Sequence, residues 1–453
     1  MTKYMITTAF AFGLLAAWPS AQQPPTPTPA PQQPTELAAT ISGDSGAPPR
    51  LAVPDFIALS TDAETVATAK TIGEVLWDDL NFEREFSFIP RDVYSSIPKA
   101  TSFNDVPFDR WRELNADGLI VGTVQKTGNG FRVEMKLFNV RTRQVAYPRQ
   151  YDGSNARLFA HTISDEIHKS QRALNGVARS KLTFDSDRDG ERLGGTIQQR
   201  SIKEIYISDY DGENQRRVTV VKNLSIAPRW SPDARSIAYT SYRHGGAHVF
   251  ISNIFQGTLE EVTKGEKVGE NWLPAWSPDG TKLAFTSTRD GNPEIYVVNR
   301  DGSGLRRLTN NPSIDITPTW SPSGTQIAFT SDRSGTPQIY VVGVDGLNLS
   351  KKTSESYCDR PTWSPAPFNE IAYAARSGPG FDIHVLDLST GATKSLTFGE
   401  GTNESPAFSP NGRHIVFTST RSGKTQVFTM ARDGKNIRQI TKAGNNYEPD
   451  WSK

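Results

Sequence analysis

PTWSPSGTQIAFTSDRSGTPQIYVVGVDGLNLSKKT, residues 318–353, is one copy of a unit that recurs along the C-terminal part of the chain. Its aromatic anchor falls at Trp230, Trp276, Trp320, Trp363, Phe408 and Trp451, in steps of 46, 44, 43, 45 and 43 residues. That is the period of a four-stranded propeller blade. In Ser321-Pro322-Ser323-Gly324, proline presets φ at the second turn position and glycine suits the fourth, so a tight hairpin follows the first strand. Residues 327–331 are uncharged, β-branched and aromatic, as a strand buried between neighbouring blades must be. A third strand at 338–342 turns through Asp345-Gly346 into an outer strand ending at Lys352-Thr353, whose charge suits an edge.

Counting each strand type fixes the blade number. Second strands begin at Leu182, Ile237, Leu283, Ile327, Ile371 and Ile415, and third strands lie near Ile205, Val249, Ile295, Ile339, Ile383 and Val427, six of each. The first-strand anchor is missing before Leu182, whereas Glu448-Pro449-Asp450-Trp451-Ser452 stands alone at the far end. The two fragments complete each other: the last strand is expected to become the innermost strand of the first blade and close the ring.

Upstream the period changes. Residues 1–21 have Lys3, an apolar run from Met5 to Trp18 and small residues at Ser20 and Ala21, the pattern of a secretory signal peptide. Residues 22–49 contain QQPPTPTPAPQQPTE, a polyproline-like stretch that reads as a flexible tether. Residues 50–176 read as α/β. A strand is predicted at 51–59, then a helix with capping-box spacing at Thr61 to Glu64, running to about Leu80 with Val66, Ala69, Ile72, Leu76 and Leu80 inward. Strands at 86–89, 119–124, 131–139 and 144–151 and helices at 108–114 and 156–173 complete a mixed sheet. The predicted fold is α+β in two domains: an N-terminal α/β mixed-sheet domain at 50–176, then a six-bladed β-propeller at 177–453 closed by the C-terminal strand.

A formal net charge of +1 with 22% charged residues gives no basic footprint for nucleic acid. Cys358 is the only cysteine, so no intramolecular disulfide can form. Gly43-Asp44-Ser45-Gly46 copies the loop around a trypsin-like nucleophile, yet nothing upstream could supply the base and the orienting acid, and it reads as loop. Trp-Ser-Pro-Asp-Gly turns also occur in gating propellers of prolyl oligopeptidase-like enzymes, but the Gly-x-Ser-x-Gly elbow of their hydrolase domain is missing. Asp185 to Gly190 has the spacing of half a calcium loop with Thr196 where the bidentate glutamate belongs, and it reads as a hairpin turn. The six histidines show no metal spacing, and His244 and His248 read as blade-edge residues. No catalytic residue, metal or cofactor is therefore assigned.

A propeller gathers one type of loop around its channel mouth. The segments before each Pro-x-aromatic anchor hold Glu270, Asn271 and Trp272; Ser313, Asp315 and Thr317; Tyr357, Asp359 and Arg360; Asn403 and Glu404; and Asn446, Tyr447 and Glu448. Aromatics mixed with amides and acids suit a protein-recognition rim. A secreted propeller binding a small ligand or glycan, and an accessory propeller of a peptidase, are the alternatives. A glycan binder would repeat aromatic platforms from blade to blade, which the varied rim does not do.

The order of motifs resembles a known family. Ser42-Gly43-Asp44-Ser45-Gly46-Ala47-Pro48 is followed by Ala116-Asp117-Gly118-Leu119-Ile120-Val121-Gly122, then by His161-Thr162-Ile163-Ser164-Asp165-Glu166-Ile167 and by Ser208-Asp209-Tyr210-Asp211-Gly212-Glu213-Asn214 leading into the repeats. From about Glu36 to Lys453 this is similar to the TolB family of the Tol-Pal envelope system. The resemblance implies a non-enzymatic, monomeric periplasmic adaptor without cofactor, associated with membranes only through partners. It implies that the propeller mouth binds the lipoprotein Pal, with Glu270 to Leu273 and Ile316 and Thr317 aligned to the Pal-facing loops. It further implies that a segment equivalent to Glu36, Leu37, Ala38, Ala39, Thr40, Ile41 and Ser42 binds TolA, and that the protein serves outer-membrane integrity, constriction at cell division and protein import.

Overall fold

The computed structural model describes residues 40–43, 47–192, 201–264 and 269–453. The signal peptide, the proline-rich run, the Asp44-Ser45 motif and Glu36, Leu37, Ala38 and Ala39 lie outside the described residues.

The N-terminal region is a mixed sheet built from β1 (Arg50–Ala52), β2 (Ile57–Ala58), β3 (Ser87–Phe88), β4 (Gly118–Thr127), β5 (Gly130–Asn139) and β6 (Val145–Gly153), with β1 parallel to β3 and β4 and the last three strands antiparallel. The single strand expected at 51–59 is two short ones, because the chain leaves the ladder at Pro54, which has no N–H to donate. The expected 86–89 strand shrinks to the two residues of β3. Helices α1 (Ala63–Glu83) and α3 (Ala156–Arg172) cover one face, and α2 (Phe108–Glu113) with a 3-10 turn at Arg91–Ser96 covers the other. Asp62, not Thr61, caps α1: its carboxylate accepts from the Thr65 N–H at 3.0 Å. Ala69, Ile72, Leu76 and Leu80 face the core as expected, whereas Val66 is exposed and Thr65 takes its place. Ile41 is buried in this core, and its N–H donates to Gln171 Oε1 at 2.8 Å.

The propeller consists of six four-stranded sheets. Blade 1 contains Lys181–Ser186, Glu204–Asp209 and Arg216–Arg217, and its innermost strand is Asn446–Trp451 from the other end of the chain, paired antiparallel as Asn446↔Ser186 and Trp451↔Leu182. The expected ring closure is thus present. Blades 2 to 6 have inner strands Ser225–Trp230, Asn271–Trp276, Asp315–Trp320, Cys358–Trp363 and Asn403–Phe408. Two of the anchors tie their blade to the preceding one: Trp276 Nε1 donates to Arg229 O and Trp320 Nε1 to Ala275 O, both at 3.1 Å. A buried threonine stitches outer to third strand in every blade, as where Thr309 Oγ1 accepts from Ile295 N at 2.9 Å.

α1 runs one turn further than its apolar stripe suggests, and that turn meets the propeller at the seam of blades 6 and 1. Phe82 stacks on His414 with centroids 4.2 Å apart and approaches Trp451. Glu83, 4% exposed, accepts from Val177 N at 3.0 Å and lies 3.2 Å from His414 Nε2. Beside it, Asp79 meets His161 Nδ1 at 2.7 Å and the Tyr210 hydroxyl at 2.7 Å.

Candidate functional site: the channel mouth

The inner strands share one irregularity. In each, the ladder shifts between the second and fifth residues, as at Trp272/Ala275 and Ile316/Thr319. The fourth residue is proline every time, which cannot donate to the ladder, so the strand bulges there. The residue before it is left-handed in all six blades: Ala227 (φ 53), Leu273 (57), Thr317 (54), Arg360 (54), Ser405 (53) and Glu448 (47). For non-glycine residues this costs about 1–2 kcal/mol each. Sixfold repetition at one ring of the channel makes it a built feature of the mouth.

Apart from Glu270, Ser313 and Tyr357, which lie in the segments just before their strands, the expected rim residues are found in the first halves of the inner strands, and they divide by position. First-position Asn271, Asp315, Asn403 and Asn446 are fully buried. They accept from arginines at the turn after the second strand: Arg289 to Asn271 at 3.1 Å, Arg333 to Asp315 at 2.6 Å, Arg421 to Asn403 at 3.0 Å and Arg188 to Asn446 at 2.7 Å. Each guanidinium lies over aromatic rings of its own blade, as Arg333 does over Phe329 and Tyr340 at 5.5 and 5.1 Å. Sequence reasoning missed these arginines, although Arg188, Arg243, Arg289, Arg333 and Arg421 all stand six residues after their second-strand start. In blade 5 the spacing is five, and Arg376 stacks on Tyr357 and Phe381, which engages Tyr357 as well.

Second- and third-position residues form the accessible mouth. Trp272, Leu273, Ile316, Asp359, Glu404, Tyr447 and Glu448 are all half-buried, and Thr317 is 8% exposed with its hydroxyl on Thr330. Glu270 is exposed and pins the neighbouring blade by accepting from Ala247 N at 2.6 Å. Arg360 reaches from blade 5 to Glu448 in blade 1 at 2.5 Å, past blade 6. Burial opposes both charges, but their mutual attraction prevails and holds Arg360 up and Glu448 down. Lys203 Nζ sits 3.3 Å from the Tyr447 ring centroid and 3.0 Å from Asp185, whose carboxyl burial pushes up to about 6 against that ammonium. Beyond the mouth all six inner strands line one axial cavity of about 470 Å³, floored by the aromatic anchors and the Ser-Pro turns.

The other sequence candidates are occupied by protein partners. In the calcium-like stretch Asp185 faces Lys203, Asp187 accepts from Asn445 N at 2.6 Å, and Asp189 accepts from the Tyr206 hydroxyl at 2.7 Å. His244 and His248 both turn Nδ1 to Glu261, at 3.4 and 2.9 Å. Among the described residues no group of three or more His, Cys, Asp or Glu could hold a metal ion. Cys358 is buried, and burial pushes its thiol up to about 11, away from thiolate chemistry.

These features define a class: a six-bladed β-propeller joined to an N-terminal α/β domain, with an accessible channel mouth built on strained inner strands. The family description "TolB amino-terminal domain" matches residues 37–146 and "TolB beta propeller domain" matches residues 194–453. The chain belongs to the TolB family. The Tol-Pal system protein TolB of Desulfosudis oleivorans is 34% identical over 228 residues, 49% of this chain and 50% of that protein. Its counterpart in Actinobacillus pleuropneumoniae serotype 5b is 30% identical over 197 residues, 42% of this chain and 43% of that one. The chain spans about half the length or less of these curated relatives. The crystal structure of TolB from Acinetobacter baumannii superposes with a TM-score of 0.75 at 26% identity, over 90% of this chain and 97% of that one.

Proposed function

We propose that this protein is a non-enzymatic periplasmic adaptor of the Tol-Pal system that binds Pal at the channel mouth and TolA through the segment before Ser42. The observation behind this reading is the set of half-buried apolar side chains at the mouth, Trp272, Leu273 and Ile316, set beside a ring of left-handed residues that includes Leu273, in a member of the TolB family. Strained backbone marks sites held ready for a partner, and a tryptophan in such a set suits a binding anchor. Among the described residues no helix is long and apolar enough to cross a membrane. On this reading the protein links Pal to TolA in support of outer-membrane integrity, constriction at division and protein import.

The N-terminal segment is the coupling element. Ile41 is buried in the α/β core and its carbonyl faces Arg172. Pal is expected to bias the segment through the body that holds Ile41. Linkage requires that TolA alter Pal affinity by the factor by which Pal alters TolA affinity. The test compares the mature chain with one beginning at Thr40, which keeps Ile41. Soluble Pal binds both forms, TolA binds only the longer, and Pal affinity differs between them. Absence of Pal binding to either form overturns the adaptor reading; equal Pal affinity together with no TolA binding reduces the segment to a tether.

A further inference from the structure

The mouth is chemically divided. Its arc on blades 2 to 4 presents Ile226, Trp272, Leu273 and Ile316, all half-buried and none charged. Its arc on blades 5, 6 and 1 presents Asp359, Arg360, Glu404 and Glu448. Three carboxylates thus gather around Arg360, which is already bound to Glu448, and Arg229 of blade 2 is likewise engaged there, donating to the Glu448 carbonyl at 3.4 Å. Asp359 Oδ1 accepts from the Thr330 hydroxyl at 2.9 Å and the Arg360 N–H at 2.6 Å, which fixes it in place without neutralising it. The nearby Lys203 is matched by Asp185 at 3.0 Å.

Glu404 is left over. Its backbone carbonyl accepts from Thr418, but its carboxylate has no hydrogen bond or salt bridge among the described residues. It is half-buried in the channel wall between Asp359, Arg360 and Glu448. Burial raises its pKa, with Asp359 and Glu448 adding to the rise against Arg360. Covering this arc with an apolar surface would strip water from an unpaired carboxylate, and covering it with an acid would add repulsion. Covering it with a cation supplies the missing partner.

Resting on the reading of the mouth as the partner site, we propose that its occupant is a polypeptide loop carrying a lysine or arginine beside an aliphatic or aromatic residue. The cation sits between Glu404 and Asp359, and the apolar side chain packs on Trp272, Leu273 and Ile316. A free metal ion would leave the apolar arc without a partner, and a purely apolar loop would bury Glu404 unpaired. Charge complementarity of this kind sets partner choice and association rate, and is weakened by salt.

The probe is the soluble domain of Pal, titrated into the full chain, into Glu404→Gln and into Trp272→Ala, at low and at high sodium chloride. Glutamine keeps the shape of Glu404 and breaks no hydrogen bond, so folding is retained. Glu404→Gln is expected to weaken binding about tenfold at low salt, to flatten the salt dependence and to approach wild type at high salt. Neutralising the facing basic residue of Pal then adds no further loss in Glu404→Gln. Loss of binding in Trp272→Ala with wild-type affinity in Glu404→Gln overturns the cation pairing and leaves the partner site standing. Binding that requires calcium and disappears in Glu404→Gln assigns the arc to a metal ion and also overturns the proposal. Failure of the wild type to bind Pal overturns the partner reading, and this inference with it.

Discussion

Deleting residues 446–453 abolishes the cooperative unfolding of the propeller. The missing strand supplies the inner edge of blade 1, whose Lys181–Ser186 strand then faces the channel with an unpaired ladder. Trp451, 5% exposed, donates from Nε1 to Ser180 Oγ at 2.6 Å, and the Lys181 N–H donates to Ser452 Oγ at 2.8 Å. Truncating Trp451 alone to alanine is expected to cost about 3–5 kcal/mol. Its ring also lies 6.5 Å from Phe82 and 6.3 Å from His414, so the loss extends into the joint with α1. Calorimetry checks this. A truncated protein with an unchanged melting transition would show that the ring does not depend on its last strand.

The second large effect is expected at His161, 3% exposed between Asp79 and Asp209. Its Nδ1 is 2.7 Å from Asp79 and its Nε2 3.8 Å from Asp209. Arg157 and Lys181 pair with Asp211 and Asp209 around the same joint, and the Tyr210 hydroxyl donates to Asp79. Burial works against the imidazolium, but attraction to Asp209 and Asp79 outweighs it and pushes the pKa from 6.5 up to about 9. Because the folded value lies above the unfolded one, this stabilisation is complete below about pH 6.5 and is lost as pH rises through about 9. It is on the order of 3 kcal/mol. His161→Ala leaves the buried Asp79 carboxylate without its cation, at an expected cost of about 3–5 kcal/mol near neutral pH. Urea titrations of wild type and His161→Gln from pH 6 upward should converge as pH passes about 9; a constant gap between them would mean that the imidazole is held neutral.

The propeller was legible in the sequence because its signals are local and repeated: turn chemistry, β-branched second strands and an anchor at a fixed period. Even the closing strand followed from two fragments that complete one unit. The errors lie where tertiary neighbours decide. Asp62 and Thr61 can both cap a helix, and only the loop geometry before α1 selects Asp62. Val66 has the right spacing for the core but meets solvent, while the turn of α1 beyond Leu80, past the expected helix end, holds Phe82 and Glu83 in the domain joint. That joint is built from residues far apart in sequence, such as Glu83 and His414, and no local pattern announces it.

At the mouth the sequence named the inner-strand segments without separating the two faces of each strand. Asn271, Asp315, Asn403 and Asn446 look like ideal polar contacts, but a strand alternates its faces, and these face the arginines of the neighbouring turns. Trp272 and Ile316 point the other way. The left-handed residue before each proline was not legible at all, because leucine, threonine, arginine and glutamate give no hint of positive φ.

The most direct test of the central claim places a photo-crosslinking amino acid in place of Trp272 at the mouth and, separately, in place of Phe255, which is 74% exposed away from the inner strands. With soluble Pal present, the account predicts a covalent Pal adduct from position 272 and none from position 255. An adduct from position 255 alone, or equal adducts from both, would contradict the assignment of the mouth as the partner site.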